Sequence, residues 1–397
     1  MAECRQLRFL HGPDSIVLLH QYPRLYQPDP IAMSNHDFDP DLPDLPAPKK
    51  IPFADALAAL LDVDNPLPPR YLYRFSDLEP EEIRDLHKIW GQIPAWRRKA
   101  LMEDLALLFG DDYLLSFEAI CRIGLKDPEA AIRVLSLSGL LEYEVEDLIP
   151  VFLNLLVTDS QAEVRAAAAS ALGKYIYEGE IEELKPKSLR LIEERLLSVL
   201  KGSDTPLVRR RALESMGYSS RKELPTLIES AFNTQENEWM ASALFAMGRT
   251  CDKRWQEHVV PMLNHVQPAI RMEAARAAGE IEIAAAGEQL IELLEDDNAE
   301  VRMAAAWSLS QIGGEDAQEA LNLMFKSTDD PEEIEFIEAA IDNLIFNQSV
   351  QFYSIMDFDR DNDDEDFDDD DFDEFDDGDL EDYYENDEED FDEDYED

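Results

Sequence analysis

The residue types that most often carry chemistry are sparse in this chain. The six histidines are His11, His20, His36, His87, His258 and His265, and none is followed by glutamate. His258 and His265 stand seven residues apart. On one helix that is about 10 Å along the axis, too far for both to hold one metal ion. The three cysteines, Cys4, Cys121 and Cys251, form no Cys-x-x-Cys pair, so neither a disulfide framework nor a zinc site is expected. Reduced thiols in a cytoplasmic setting are the plain reading. Asp357-x-Asp359-x-Asp361 opens like a calcium loop, but Asn362 stands where glycine is needed and Asp368 where glutamate is needed. Weak divalent-cation binding by dense carboxylates is all that this stretch implies. With no nucleophile elbow, P-loop or Gly-x-Gly-x-x-Gly stretch, no catalytic, metal or cofactor-binding residue is expected.

One polar pattern does recur, and it is built on arginine. The phrase Val164-Arg165-Ala166-Ala167-Ala168-Ala169-Ser170-Ala171-Leu172-Gly173 returns in outline at Val208-Arg209, Ile270-Arg271 and Val301-Arg302. Aligned on this slot, Arg97, Arg133, Arg165, Arg209, Met240, Arg271, Arg302 and Glu335 follow one another at 31 to 36 residues, with one gap of 44. A fixed period of this size marks stacked helical units, each burying its apolar face on its neighbours. Three residues after the slot comes a small side chain: Ala100, Ser136, Ala168, Ala212, Ala243, Ala274 and Ala305. Eight residues after it, Gly173, Gly217, Gly248 and Gly279 fit a left-handed helix terminus. Between the arginine helices lie leucine-rich partners such as Leu148–Leu156 and Leu189–Leu200, and an acidic turn precedes most slots. The pattern predicts about eight two-helix units. The long gap places Tyr175–Lys187 in an extended loop or a lengthened helix.

From Trp96 to Phe346 this pattern resembles the HEAT repeat family, particularly its short form related to phycobilisome-lyase repeats. The resemblance implies an all-α, α–α superhelix in which turn aspartates and helix arginines form a polar ladder between neighbours. Its members here would be the pairs Asp127/Arg133, Asp159/Arg165, Asp204/Arg209 and Asp297/Arg302, together with Arg271. Met240 and Glu335 depart from the pattern, so the ladder should break in the fifth and last units, the last serving as an end cap. The deoxyhypusine hydroxylase branch binds iron through His-Glu pairs, which this chain lacks. The lyase branch needs a bilin and a phycobiliprotein partner. A DNA-glycosylase branch uses a basic groove, which fits poorly with a net charge of −54.

The flanks differ from the repeats. Residues 1–78 read as a largely disordered, proline-rich arm with one short amphipathic helix at 53–61, able to dock on the first unit or to recruit a partner. Met33 reads as the true start. Residues 79–346 are the solenoid, and 347–397 a disordered tail. From Asp357 onward the tail holds 28 acidic residues and one basic residue, interspersed with Phe358, Phe367, Phe372, Phe375, Tyr383, Tyr384, Phe391 and Tyr395. Like charge of this density prevents folding alone. No apolar run is long enough to span a membrane, and the acidity disfavours nucleic acid.

The expectation is a non-enzymatic scaffold that binds a protein partner on the concave face. Between Lys185 and Arg254 there are 13 basic and 9 acidic residues, a local reversal of the overall charge. Arg210, Arg211, Arg221, Lys222, Arg276 and Trp307 are the candidate contacts for an acidic partner, or for an intramolecular contact with the tail. The alternatives are a phycobilin-lyase-like accessory subunit, and an acidic-tail chaperone or nucleic-acid mimic that binds basic partners.

Overall fold

A computed structural model describes residues 51–111, 114–141, 143 and 145–360, with the backbone alone for 111 and 350–360. The start at Met33, the arm before residue 51, the calcium-like stretch beyond Arg360 and the tail-to-solenoid contact lie outside the described residues.

Among those residues every regular element is helical. A lone helix, α1 (Phe53–Leu61), comes first. Eight hairpins follow. They pair α2 (Pro80–Trp90) with α3 (Ala95–Asp111), α4 (Glu118–Gly124) with α5 (Ala130–Gly139), α6 (Ile149–Thr158) with α7 (Ala162–Glu180), and α8 (Pro186–Lys201) with α9 (Pro206–Met216). The second four pair α10 (Leu224–Phe232) with α11 (Asn237–Arg249), α12 (Gln256–Met262) with α13 (Pro268–Ile281), α14 (Gly287–Leu293) with α15 (Ala299–Ile312), and α16 (Glu315–Ser327) with α17 (Pro331–Arg360). Proline opens α2, α8, α9 and α13, where its missing N–H has no intrahelical partner to lose. Glu79 and Glu82 close a capping box at the start of α2. The long gap in the arginine spacing is a lengthened hairpin: α7 runs 19 residues and α8 runs 16. Burial of Tyr175, Ile176 and Tyr177 continues α7 past its glycine, and the Tyr175 hydroxyl donates to the Val145 carbonyl at 2.9 Å.

The second helix of each hairpin carries the arginine slot, and these helices pack on one another in the middle of the stack. The leucine helices mainly touch their own partners. Small side chains cause the difference. Ala168, Ala212, Ala243, Ala274 and Ala305 are fully buried and let the arginine helices approach closely. Packing one layer more tightly than the other favours a bend that puts the arginine helices on the inner side.

The recurring glycines serve this approach and not a left-handed turn. Gly217 has φ −54°, an ordinary helical value. A Cβ on Gly173 would lie 3.3 Å from the Ser215 Cα, one on Gly248 3.1 Å from the Ala277 Cα, and one on Gly279 2.8 Å from the Ser308 Cα. The helix continues through Gly173, Gly248 and Gly279, and Gly217 directly follows α9 in ordinary helical geometry, because packing on the next repeat, not a left-handed reversal, requires the missing side chain. The left-handed residue after α13 is instead Glu282, with φ 57°.

At the N-terminal end α1 docks through Phe53, Ala56 and Leu60. The prolines of 62–78 exclude a long helix, yet this stretch is ordered. A 3₁₀ turn at Pro69–Phe75 buries Phe75, whose ring meets Phe53 edge-on at 5.8 Å. Arg97 fixes α1 by donating to the carbonyls of Ala59 (2.7 Å), Leu60 (3.2 Å) and Asn65 (2.9 Å). The chain divides into two compact units, Met1–Ile345 and Phe346–Asp397. The described part of the second is the continuation of α17 to Arg360, past residue 346 where the repeat pattern ends.

Gly279→Ala should destabilise the protein by about 1–3 kcal/mol, because overpacking at Ser308 outweighs the gain in helix propensity. Gly287→Ala, whose Cβ would meet nothing within 4 Å, should be neutral or stabilising by up to about 1 kcal/mol. Urea unfolding of the two variants checks the contrast.

Candidate functional site

Each ladder arginine uses both edges of its guanidinium. One edge faces back into its own turn: Nη1 of Arg133 donates to the Asp127 carbonyl at 2.7 Å, that of Arg165 to Asp159 at 2.8 Å, that of Arg271 to His265 at 2.8 Å and that of Arg302 to Asp296 at 2.9 Å. The other edge reaches forward into the next repeat. Nε and Nη2 donate to both carboxylate oxygens of an aspartate there: Arg98 to Asp127 (2.7 and 3.0 Å), Arg133 to Asp159 (2.8 and 2.8 Å), Arg165 to Asp204 (2.9 and 2.7 Å) and Arg271 to Asp296 (2.7 and 2.8 Å). Such fork-to-fork pairs are strong and directional. Asp127, Asp159 and Asp296 also accept the backbone N–H two residues on, each at 2.9 Å, so the turn holds the carboxylate in place before the arginine arrives.

This geometry corrects the expected pairing. Asp127/Arg133, Asp159/Arg165 and Asp297/Arg302 meet only through backbone carbonyls, and the carboxylates of Asp127 and Asp159 are taken by the arginine of the preceding repeat. Asp296, not Asp297, fills the last aspartate position. The first rung belongs to Arg98 and not Arg97, and Trp90 joins it by donating its indole N–H to Asp127 at 2.7 Å. Arg209 is not a rung. It donates to the Leu200 carbonyl at 2.9 Å and lies 5.4 Å over the Trp239 ring, while Asp204 is held by Arg165. Thr234 occupies the acceptor position that Arg209 would reach forward to, so the break begins one repeat before Met240. At the last repeat the expected break is absent, because Arg302 bonds to Glu333 rather than needing residue 335.

The rungs fix the charge state of their aspartates. The Arg165 bond holds Asp204 below the usual carboxylate range, and the Arg271 bond does the same for Asp296. Partial burial pulls Asp159 upward, but the bonds from Arg133 and the Gln161 N–H together prevail and lower it.

Five and nine residues after the slot, the tightly packed helices carry half-buried or bonded polar and aromatic groups along the inner side. These are Glu214 and Tyr218, Phe245 and Arg249, Arg276 and Glu280, and Trp307 and Gln311. The Arg249 guanidinium lies between the rings of Tyr218 and Phe245, 4.3 Å from each centroid. Ser242 donates to Glu214 at 2.6 Å, and Trp307 meets Phe336 at 6.1 Å. The structure thus brings Arg211, Arg276 and Trp307 to this row. Arg211 is bonded to Glu214, and Arg276 stands 3.5 Å from Glu273. Arg210 pairs with Glu238 at 2.8 Å. Arg221 and exposed Lys222 lie apart, in the turn before α10, where Arg221 stands 3.2 Å from buried Glu193. Within the basic zone Arg210, Arg211, Arg221 and Arg254 are therefore matched by carboxylates. Tyr218 and Phe245 were not singled out by charge or motif, and Arg249 stood out only as part of the basic zone. The 31-residue period, which puts 218, 249 and 280 in one register, is the signal that would have found them.

Among the described residues no three of His, Cys, Asp or Glu converge as a metal site. His258 is packed between Phe232 and Trp255, and His265 fills an aspartate position of the ladder. Burial pushes the Cys121 thiol up to about 12, so it stays protonated and unreactive.

The three lowered aspartates bind protons more weakly in the folded chain than in the unfolded one. Their stabilisation is complete above the unfolded aspartate value of about 3.9 and is lost as pH falls through the lower folded values. Urea midpoints should stay level down to about pH 4 and then fall. A D159N/D204N/D296N variant should be less stable at neutral pH and show a shallower acid decline.

The comparisons with known proteins fit this geometry. A profile described as HEAT repeats matches residues 256–344, and one described as HEAT repeat matches residues 148–177. No curated protein matches the chain. Among solved structures, the YibA protein of Escherichia coli is 17% identical over 70% of this chain and 97% of its own, with a TM-score of 0.38. Importin beta is 11% identical over 74% of this chain and 46% of its own, with a TM-score of 0.38. Human deoxyhypusine hydroxylase, solved with glycerol, is 17% identical over 74% of this chain and 96% of its own, with a TM-score of 0.31. At these TM-scores the likenesses carry no argument about function. The matched stretches coincide with hairpins of the ladder-bearing stack, and the chain is a HEAT-repeat protein.

Proposed function

We propose that this protein is a non-enzymatic scaffold that holds a protein partner along the inner side of its arginine helices. The observation that carries the reading is the row running from Tyr218 through Phe245, Arg249 and Arg276 to Trp307. Aromatic rings and arginines on a rigid helical face are the groups that anchor protein interfaces. The row lies on a surface produced by the repeat itself, so successive hairpins add to one continuous contact area.

Arg210, Arg211, Arg221 and Arg276 already face carboxylates, so net positive charge is a weak basis for choosing the partner. Aromatic contact, with arginines exchanging one carboxylate for another, is the better-supported mode. No described helix is long and apolar enough to cross a membrane. Neither Cys121 nor Cys251 forms a disulfide among the described residues. The lyase-like and tail-chaperone readings gain no observation of their own.

A photo-crosslinking amino acid placed at Phe245 or Gln311, in cells that make the protein naturally, should give the same discrete adduct from both positions. The same group at exposed Val157 or Leu191 on the leucine helices should not give it. Adducts confined to the outer positions would contradict the reading.

A further inference from the structure

Two successive seams of the stack lack a rung. At the seam between α9 and α11, Arg209 faces Thr234, which accepts the Glu236 N–H at 3.3 Å but offers no carboxylate. At the seam between α11 and α13, Met240 faces His265, whose Nδ1 accepts the Gln267 N–H at 3.1 Å. The second seam is closed by other means, because α11 and α13 lie against each other along much of their length with Gly248 on Ala277. The first is not. α9 and α11 share far less contact than α7 with α9 or α13 with α15. The seams between α3 and α5 and between α5 and α7 are also slender, but each has its buried arginine–aspartate fork.

What joins α9 to α11 lies mostly toward one end. A Cβ on Gly217 would come within 3.1 Å of the Ala246 Cα, Arg249 stacks on Tyr218 at 4.3 Å, and Ser242 bonds to Glu214. At the turn end the ties are Arg210 to Glu238 at 2.8 Å, with side chains 13% and 73% exposed, and the Arg209 guanidinium 5.4 Å over the Trp239 ring. With one carboxylate largely in water and no second carboxylate bond, these ties are weaker than a buried fork and more open to screening by salt. The seam is pinned at one edge and weakly tied at the other.

We propose that the α9–α11 seam is a hinge built into the repeat stack, about which the four hairpins before it and the four after it change pitch. The inner row crosses this seam at its pinned edge, so motion there alters the curvature of that face while leaving Tyr218, Phe245 and Arg249 together.

Restoring the rung tests this. In the full chain, Thr234→Asp places a carboxylate in the position that Asp127, Asp159 and Asp296 occupy elsewhere, within reach of Arg209. Thr234→Asn keeps the turn acceptor without the charge, and T234D combined with R209M removes the partner. Spin labels at V157C and V266C span the seam, and labels at V266C and L323C span only seams with intact packing; all three positions are exposed. The wild-type distance distribution should be broader across the α9–α11 seam than across the control pair. T234D should narrow it toward the control width and slow amide exchange in the flanking turns about tenfold, the factor that ~1.4 kcal/mol supplies. T234N and T234D/R209M should behave as the wild type does. A wild-type distribution as narrow as the control overturns the proposal. So does narrowing that T234N reproduces, or that T234D fails to produce.

Discussion

An arginine that grips its own turn with one edge and the next repeat's aspartate with the other determines how successive hairpins meet. In a stack where each unit touches only its neighbours, every seam must hold by itself. Apolar burial brings the helices together but does not fix their rotation. The guanidinium fork supplies direction, because it fits a carboxylate in one plane. At Arg98 and Asp127 the two side chains are 6% and 0% exposed, so the pair is shielded from water and either group alone would be a buried unpaired charge.

The fork and the small residues depend on each other. Ala274, Ala305 and Gly279 let the helix axes approach closely, which brings the forward edge of Arg271 within 2.8 Å of Asp296. A larger residue at the glycine position would lift the helix and lengthen that bond. Curvature follows from the same asymmetry, since the leucine helices have bulkier faces and stay apart. The inner face is thus a product of the seams, and where one seam loses both its fork and its close contact the face can change shape.

Much of this was legible in the sequence, and what was not has definite causes. The arginine period and the leucine runs between it specified helical hairpins. The direction of each rung was not legible. Asp159 lies six residues before Arg165 and 26 after Arg133, and only the three-dimensional offset of one repeat shows that the distant arginine takes the carboxylate. Arg97 and Arg98 are adjacent, and the docking of α1 decides which is left for the ladder. Asp296 and Asp297 differ only in which one the turn aims forward. Gly217 and Gly248 resemble left-handed helix stops in sequence, but neither is left-handed, and their neighbours in the next repeat show them to be contact points. Tyr218 and Phe245 escaped notice because they belong to no local motif and Tyr218 meets Arg249 only across a seam.

The offset of the ladder is best tested by double-mutant cycles at Asp159. Asp159→Asn combined with Arg133→Met should show a coupling free energy of about 2 kcal/mol or more, and Asp159→Asn combined with Arg165→Met about 0.5 kcal/mol or less. The larger coupling appearing between Asp159 and Arg165 would mean that the rungs close within repeats and not between them, and the basis for the stack's rigidity, curvature and hinge would be lost.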